Sequence, residues 1–195
     1  AAATVNNSVT VDPSGRFAYV ADVSSSNVFV YTINAVTGAL TAVVGSPVTA
    51  GSNTAWVAVD PTGKFAYVAN YGSGTVSVFT INNGTGALTA VGSPVPTGGF
   101  PLSMTVDPTG KFAYVANAGG ADTVSVFTIN AVTGALTSVG SPVAVGSNPY
   151  SVVVDPTGKF AYVANRASQD IFVFTINAST GALTAVGSPI TAGLS

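Results

Sequence analysis

The sequence predicts an all-β fold assembled from four copies of one sheet unit, and three observations carry that prediction. First, the segment Asp12–Asp22 (DPSGRFAYVAD) returns as DPTGKFAYVAN at Asp60–Asn70, Asp107–Asn117 and Asp155–Asn165, in steps of 48, 47 and 48 residues. Second, each unit contains four short runs rich in Val, Thr, Tyr and Phe, broken by Gly, Pro and Asn. Third, the apolar stripe of an amphipathic helix, at i, i+3 and i+4, is missing throughout.

The second unit illustrates the elements in order. Trp56–Val59 is the first strand. Asp60-Pro61-Thr62-Gly63 is a tight turn: Pro presets φ, the Asp carboxylate accepts from turn amides, and Gly takes positive φ. Phe65–Ala69 is the second strand, Asn70–Thr75 a loop, and Val76–Ile81 the third strand. Asn83–Gly86 reverses the chain into the fourth strand, Leu88–Val91. A second repeated block follows each first one, from Tyr31, Phe79, Phe127 and Phe174, and each unit closes on Gly-Ser-Pro. The units divide the chain at about 1–48, 49–96, 97–143 and 144–195, within a single repeat domain.

Four antiparallel strands repeated at this spacing are the mark of a β-propeller blade. Apolar residues on both strand faces, as in Phe65-Ala66-Tyr67-Val68-Ala69, suit a sheet sandwiched between neighbours. A β-sandwich would not require a near-identical unit every 48 residues.

The run DPTGKFAYVANYGSGTVSVFTIN resembles the YVTN-type β-propeller repeat and is similar to the lactonase-like propellers related to 6-phosphogluconolactonase. The resemblance covers all four units. It implies a propeller usually of about seven blades, where this chain has four, and enzymes that use His, Arg and Glu. This sequence has no His, no Glu and two Arg.

Composition narrows the chemistry. The 195 residues hold five Lys+Arg and seven acids, all Asp, for a net charge of −2; only 6% of residues are charged. Without Cys or His there is no disulfide, no thiolate or imidazole metal site and no Ser-His-Asp or Cys-His nucleophile. The Asp residues lack calcium-loop spacing, so neither metal nor cofactor is expected. Five scattered cations make no nucleic-acid footprint, and no apolar run is long enough to span a membrane as a helix. Thr-Gly-Lys lacks the rest of a phosphate-binding loop, and no Gly-x-Ser-x-Gly occurs.

Propeller loops alternate between two faces. The Asp-Pro-Thr-Gly and Thr-Gly-Ala-Leu turns barely vary between units. The second-to-third-strand loops and the inter-blade loops vary freely, so the candidate binding face lies there. Asp12, Asp60, Asp107 and Asp155, with Arg16, Lys64, Lys111 and Lys159, form a neutral ring on the constant face. The remaining charges, Asp22, Asp122, Arg166 and Asp170, all fall in the variable loops, as a weakly acidic recognition surface or as solubilising charges. Trp56, Tyr71, Phe100 and Tyr150 offer a stacking platform for a carbohydrate or other flat ligand, or else blade packing at the channel mouth.

These residues lead to the expectation of a non-catalytic scaffold or surface recognition module, extracellular or on the cell surface, with a carbohydrate or protein partner on the variable face. The alternatives are a lactonase-like hydrolase working in the central channel with Asp and Arg166, or an engineered or excised repeat array. The start at Ala-Ala-Ala-Thr-Val, without Met, reads as a processed or excised chain.

Slim inner strands of Val, Thr, Ala and Ser favour a wide ring, and the sequence leads to a homodimer closing one eight-bladed ring. A lone four-bladed ring and a fragment of a longer array are the alternatives. The third strands carry Phe29 and Phe172 in units one and four but Ser77 and Ser125 in the middle. The expected seam joins blade four to blade one and gathers Phe29, Phe172, Asp22 and Arg166.

Overall fold

The computed structural model describes residues 6–192. Four antiparallel sheets follow one another without a helix among the described residues. Blade one holds β1 (Asn6–Val11), β2 (Phe17–Asp22), β3 (Asn27–Ile33), β4 (Leu40–Ala42) and β5 (Val48–Thr49). Blade two holds β6 (Thr54–Val59), β7 (Phe65–Asn70), β8 (Thr75–Ile81), β9 (Leu88–Ala90) and β10 (Val95–Pro96). Blade three holds β11 (Phe100–Val106), β12 (Phe112–Ala118), β13 (Thr123–Ile129), β14 (Leu136–Ser138) and β15 (Val143–Ala144). Blade four holds β16 (Pro149–Val154), β17 (Phe160–Asn165), β18 (Asp170–Ile176), β19 (Leu183–Ala185) and β20 (Ile190–Thr191).

The four-stranded blade needs one refinement. The outer strand is broken by the Gly-Ser-Pro segment, so β4 and β5 pair with successive stretches of the same β3, and the other blades repeat this. Pro cannot donate to the ladder, which is why the break falls there, on an edge strand.

The repeated Asp organises the first turn. Asp12 Oδ1 accepts from the amides of Arg16 (2.9 Å) and Phe17 (2.8 Å), while Oδ2 accepts from the Ser14 amide and hydroxyl. Gly63, which closes the same turn in blade two, sits at φ 70°.

Between blades, alternate residues face opposite neighbours. Phe17, Tyr19 and Ala21 of β2 and Val28 and Val30 of β3 pack on Val57, Ala66, Val68 and Phe79 of blade two. The same arrangement joins blades two and three, and blades three and four. The inner strands β1, β6, β11 and β16 lie side by side in that order. Thr10 Oγ1 donates to the Val57 carbonyl (2.6 Å), and the Val57 amide donates to Ser8 Oγ (3.0 Å).

A second link recurs at the outer part of each junction. The hydroxyls of Tyr19, Tyr67 and Tyr114 donate to the carbonyls of Gly86, Gly134 and Gly181 in the next blade, at 3.1, 3.2 and 2.9 Å. A Cβ on Gly86 would lie 2.4 Å from the Phe17 ring, so the Phe-Ala-Tyr segment and the glycine form a close-fitting lock. Burial follows the locks. Tyr19, Tyr67 and Tyr114 are 0% exposed, whereas Tyr162 of blade four is 38% exposed. Leu88 and Leu136 are 9% and 8% exposed, whereas Leu40 of blade one is 54% exposed. The described residues thus form an arc with one free face on blade one and one on blade four.

Candidate functional site

The variable loops share one end of the sheets and are tied in pairs. In blade two the Tyr71 and Gly72 amides donate to the carbonyls of Asn53 and Ser52, both at 2.9 Å. In blade four the Arg166 and Ala167 amides donate to Asn148 (2.9 Å) and Ser147 (3.0 Å). In these two blades the second-to-third-strand loop is therefore strapped to the inter-blade loop beside it. Asn53, Asp122 and Asn148 hold positive φ of 52°, 46° and 57°, as short polar side chains tolerate.

The aromatic candidates divide. Tyr71 and Phe100, from adjacent blades, meet with ring centroids 5.3 Å apart and a tilt of 35°, and both keep an exposed side. Tyr150 is half exposed, with the Arg166 guanidinium 6.0 Å from its ring centroid. Trp56 is different: it packs against the core between blades two and three. Two aromatic spots therefore remain on this face, one with a cation.

The acidic candidates are mostly engaged by their own loops. Asp22 is fully buried; its Oδ1 accepts from the amides of Ser24 (2.8 Å) and Ser25 (3.3 Å), and its Oδ2 has no partner among the described residues. Asp122 Oδ1 accepts from the Asn148 amide (3.0 Å), which ties blade three to blade four. Asp170 Oδ1 accepts from Asn165 Nδ2 and Ser168 Oγ, both at 2.8 Å.

The expected gathering at one seam takes a different form. Each third-strand residue at that position points toward the preceding blade. Phe172 therefore packs into the core between blades three and four and stacks on Phe174 at 6.2 Å. Phe29 alternates with Val28 and Val30, which face blade two, so it lies on the free face of blade one. Asp22 and Arg166 sit in blades one and four, whose strands do not pack together among the described residues.

Sequence reading missed a buried polar network behind this face. Asn70 Oδ1 accepts from the Gly51 amide (2.9 Å), and its Nδ2 donates to Ser77 Oγ (2.9 Å) and Thr75 Oγ1 (3.2 Å). Asn117 donates to Ser125 Oγ (2.9 Å) and Thr123 Oγ1 (3.3 Å) in the same way. Where Phe172 removes the serine, Asn165 turns to Asp170 instead. The Ser-to-Phe alternation between units was the available signal, and it reports this network rather than a seam. Among the described residues no group of acids is placed to hold a metal ion.

Residues 7–194 match the family described as "Lactonase, 7-bladed beta-propeller". A solved putative 6-phosphogluconolactonase from Bacteroides fragilis is 26% identical, superposes with a TM-score of 0.87, and aligns over 97% of this chain and 55% of its own. The periplasmic gluconolactonase of Pseudomonas aeruginosa gives 26%, 0.84, 97% and 55%. A putative 6-phosphogluconolactonase from Bacteroides uniformis is 23% identical with a TM-score of 0.88, over 98% and 56%. No curated protein matches. The chain spans little more than half the length of these solved relatives.

The family match corrects the expectation of a non-catalytic scaffold: it favours the hydrolase alternative over a chain with no enzymatic role. The error has a physical source. A missing His, Cys and Glu excludes mechanisms built on those groups, but an ester already strained into a ring can be opened with a carboxylate and a guanidinium.

Proposed function

The chain belongs to the lactonase family of seven-bladed β-propellers, and from that premise we propose that it supplies four blades of a hydrolase that opens a sugar-acid lactone. The observation that carries this reading is the family match over residues 7–194. The catalytic end is the variable-loop face, where Arg166 is the one cation outside the repeated Asp-Pro turns.

The reaction needs few groups. Water attacks the lactone carbonyl carbon and gives up a proton. The carbonyl oxygen becomes negative in the transition state. The ring C–O bond then breaks, and the leaving oxygen takes a proton to give a hydroxy acid. Asp170 is the general base: its two donors both go to Oδ1, which leaves Oδ2 to take the proton from water. Arg166, beside the Tyr150 ring, stabilises the oxyanion. The Tyr71–Phe100 pair offers an apolar surface to the CH face of a sugar ring. A lone cation suits an uncharged lactone better than a phosphorylated one, so gluconolactone is the preferred substrate class.

The test is release of acid from glucono-δ-lactone, followed with a pH indicator. Turnover above spontaneous hydrolysis is expected, with Arg166→Ala and Asp170→Asn each lowering kcat/KM at least about tenfold. A rate equal to buffer alone overturns the proposal.

A further inference from the structure

Four turns of one shape carry the third strand of each blade into the fourth: Asn34–Gly38, Asn82–Gly86, Asn130–Gly134 and Asn177–Gly181. In each, the first Asn is committed to the turn itself. Asn34, Asn82, Asn130 and Asn177 accept through Oδ1 from the amides two and three residues ahead, at 2.9 to 3.1 Å. The next position is Ala35, Ala131 and Ala178 in three blades, but Asn83 in blade two. Gly84 follows it, and no other Asn of the sequence precedes a Gly.

An Asn-Gly step carries its own reaction. The Gly84 amide nitrogen attacks the carbonyl carbon of the Asn83 side chain, unhindered by a Cβ on the attacking residue. A C–N bond forms, and the side-chain nitrogen leaves as ammonia with the proton that the Gly84 nitrogen gives up. Water then adds to one of the two carbonyls of the resulting succinimide and opens the ring. One opening gives aspartate at position 83. The other gives isoaspartate, in which the main chain runs through the side-chain methylene. Water is the one co-reactant.

The surroundings favour this step at Asn83. Asn83 and Gly84 are both exposed, and the Asn83 carboxamide makes no hydrogen bond among the described residues. Asn70, Asn117 and Asn165, by contrast, are buried and hydrogen-bonded. The attacking nitrogen is restrained by the single bond from the Gly84 amide to Asn82 Oδ1 (2.9 Å), in a turn open to solvent.

The same turn is half of the lock between blades one and two. The Gly86 amide donates to the Asn82 carbonyl (2.7 Å), and the Gly86 carbonyl accepts from the Tyr19 hydroxyl. Phe17 fills the space a Gly86 side chain would need. The Arg16 guanidinium, 5.0 Å from the Phe17 ring centroid, donates to the Asn83 carbonyl.

We propose that Asn83 is a site of spontaneous deamidation, and that isoaspartate formed there loosens the junction of blades one and two. The extra main-chain atom displaces the carbonyl that receives Arg16 and changes the span from Asn82 to Gly86. Gly86 then no longer seats against Phe17 and Tyr19. Both blades lie within the described residues, and the chemistry is independent of any hydrolytic activity.

The test is ageing of the 195-residue chain at mildly alkaline pH, followed by trypsin digestion and fragment mass spectrometry. The peptide Phe65–Lys111 should gain about 1 Da at position 83 before any other Asn changes. An isoaspartyl methyltransferase should label the same peptide. Gly84→Val gives the turn the residue found at Val36 and Val132, so the fold is kept. Its β-branched side chain should slow the gain at least about tenfold. Aged protein should melt at least about 2 °C below fresh protein. Asn83→Ala, which copies the other three turns, should melt alike fresh and aged. No gain at position 83, a gain indifferent to Gly84→Val, or a modified protein that melts like the fresh one would each overturn the proposal.

Discussion

The Tyr114 hydroxyl donates to the Gly181 carbonyl across the junction of blades three and four, at 2.9 Å with the tyrosine fully buried. The bond joins β12 of one blade to the Asn177–Gly181 turn of the next. The glycine serves twice: positive φ closes its turn, and the missing side chain admits the Phe112 ring. Blade stacking therefore depends on backbone shape as much as on apolar area.

Glycines in this turn should differ by their neighbours. Gly86→Ala adds positive-φ strain and drives a Cβ into the Phe17 ring, for a loss of at least about 2 kcal/mol. Gly38→Ala carries the strain alone, about 1 kcal/mol. Urea unfolding of the two variants at low protein concentration checks the ranking; equal losses would mean that the ring contact contributes nothing.

The buried network behind the variable face should be costly to remove. Asn70→Ala strips the Gly51 amide and the Ser77 hydroxyl of their partner and should destabilise by about 2 kcal/mol. Ser73→Ala, in the exposed loop nearby, should stay within about 0.5 kcal/mol. Thermal melts of both variants decide.

At alkaline pH, burial and then the nearby carboxylates of Asp12, Asp60 and Asp107 push the phenols of Tyr19, Tyr67 and Tyr114 well above the usual range. The unfolded chain releases these protons first. Stability is thus fully retained below the ordinary phenol pKa of about 10 and falls as pH rises beyond it. Ultraviolet titration should show three of the seven tyrosines ionising only with unfolding.

At acid pH the sign reverses. Hydrogen bonds from the Thr157 hydroxyl and then the Phe160 amide hold Asp155 down at about 2. Burial pushes Asp12 up, but the Ser14 hydroxyl and the turn amides outweigh it and keep it low. Their contribution is present above the unfolded carboxyl value of 3.8 and is lost as pH falls toward 2. The midpoint of acid unfolding should move to higher pH in Asp12→Asn; an unchanged midpoint would remove Asp12 from the account.

The sequence by itself determined the repeat, the strands and the tight turns, because these depend on residues a few positions apart. The period set the blades, alternating apolar residues set the strands, and the Asp-Pro-Thr-Gly motif satisfied its own amides. Only the tertiary structure decided which neighbour each strand face meets. Phe29 and Phe172 share a position in the repeat, yet one is left on a free face and the other is packed into the core between blades three and four. Asp22 looked like a surface charge and is buried in its own loop. The break in the outer strand and the Asn70–Ser77 side-chain bond likewise emerge only once the strands of a blade pair with one another. Strand periodicity sorts residues onto two faces, but it carries no information on what covers each face; that is settled only when the blades stack.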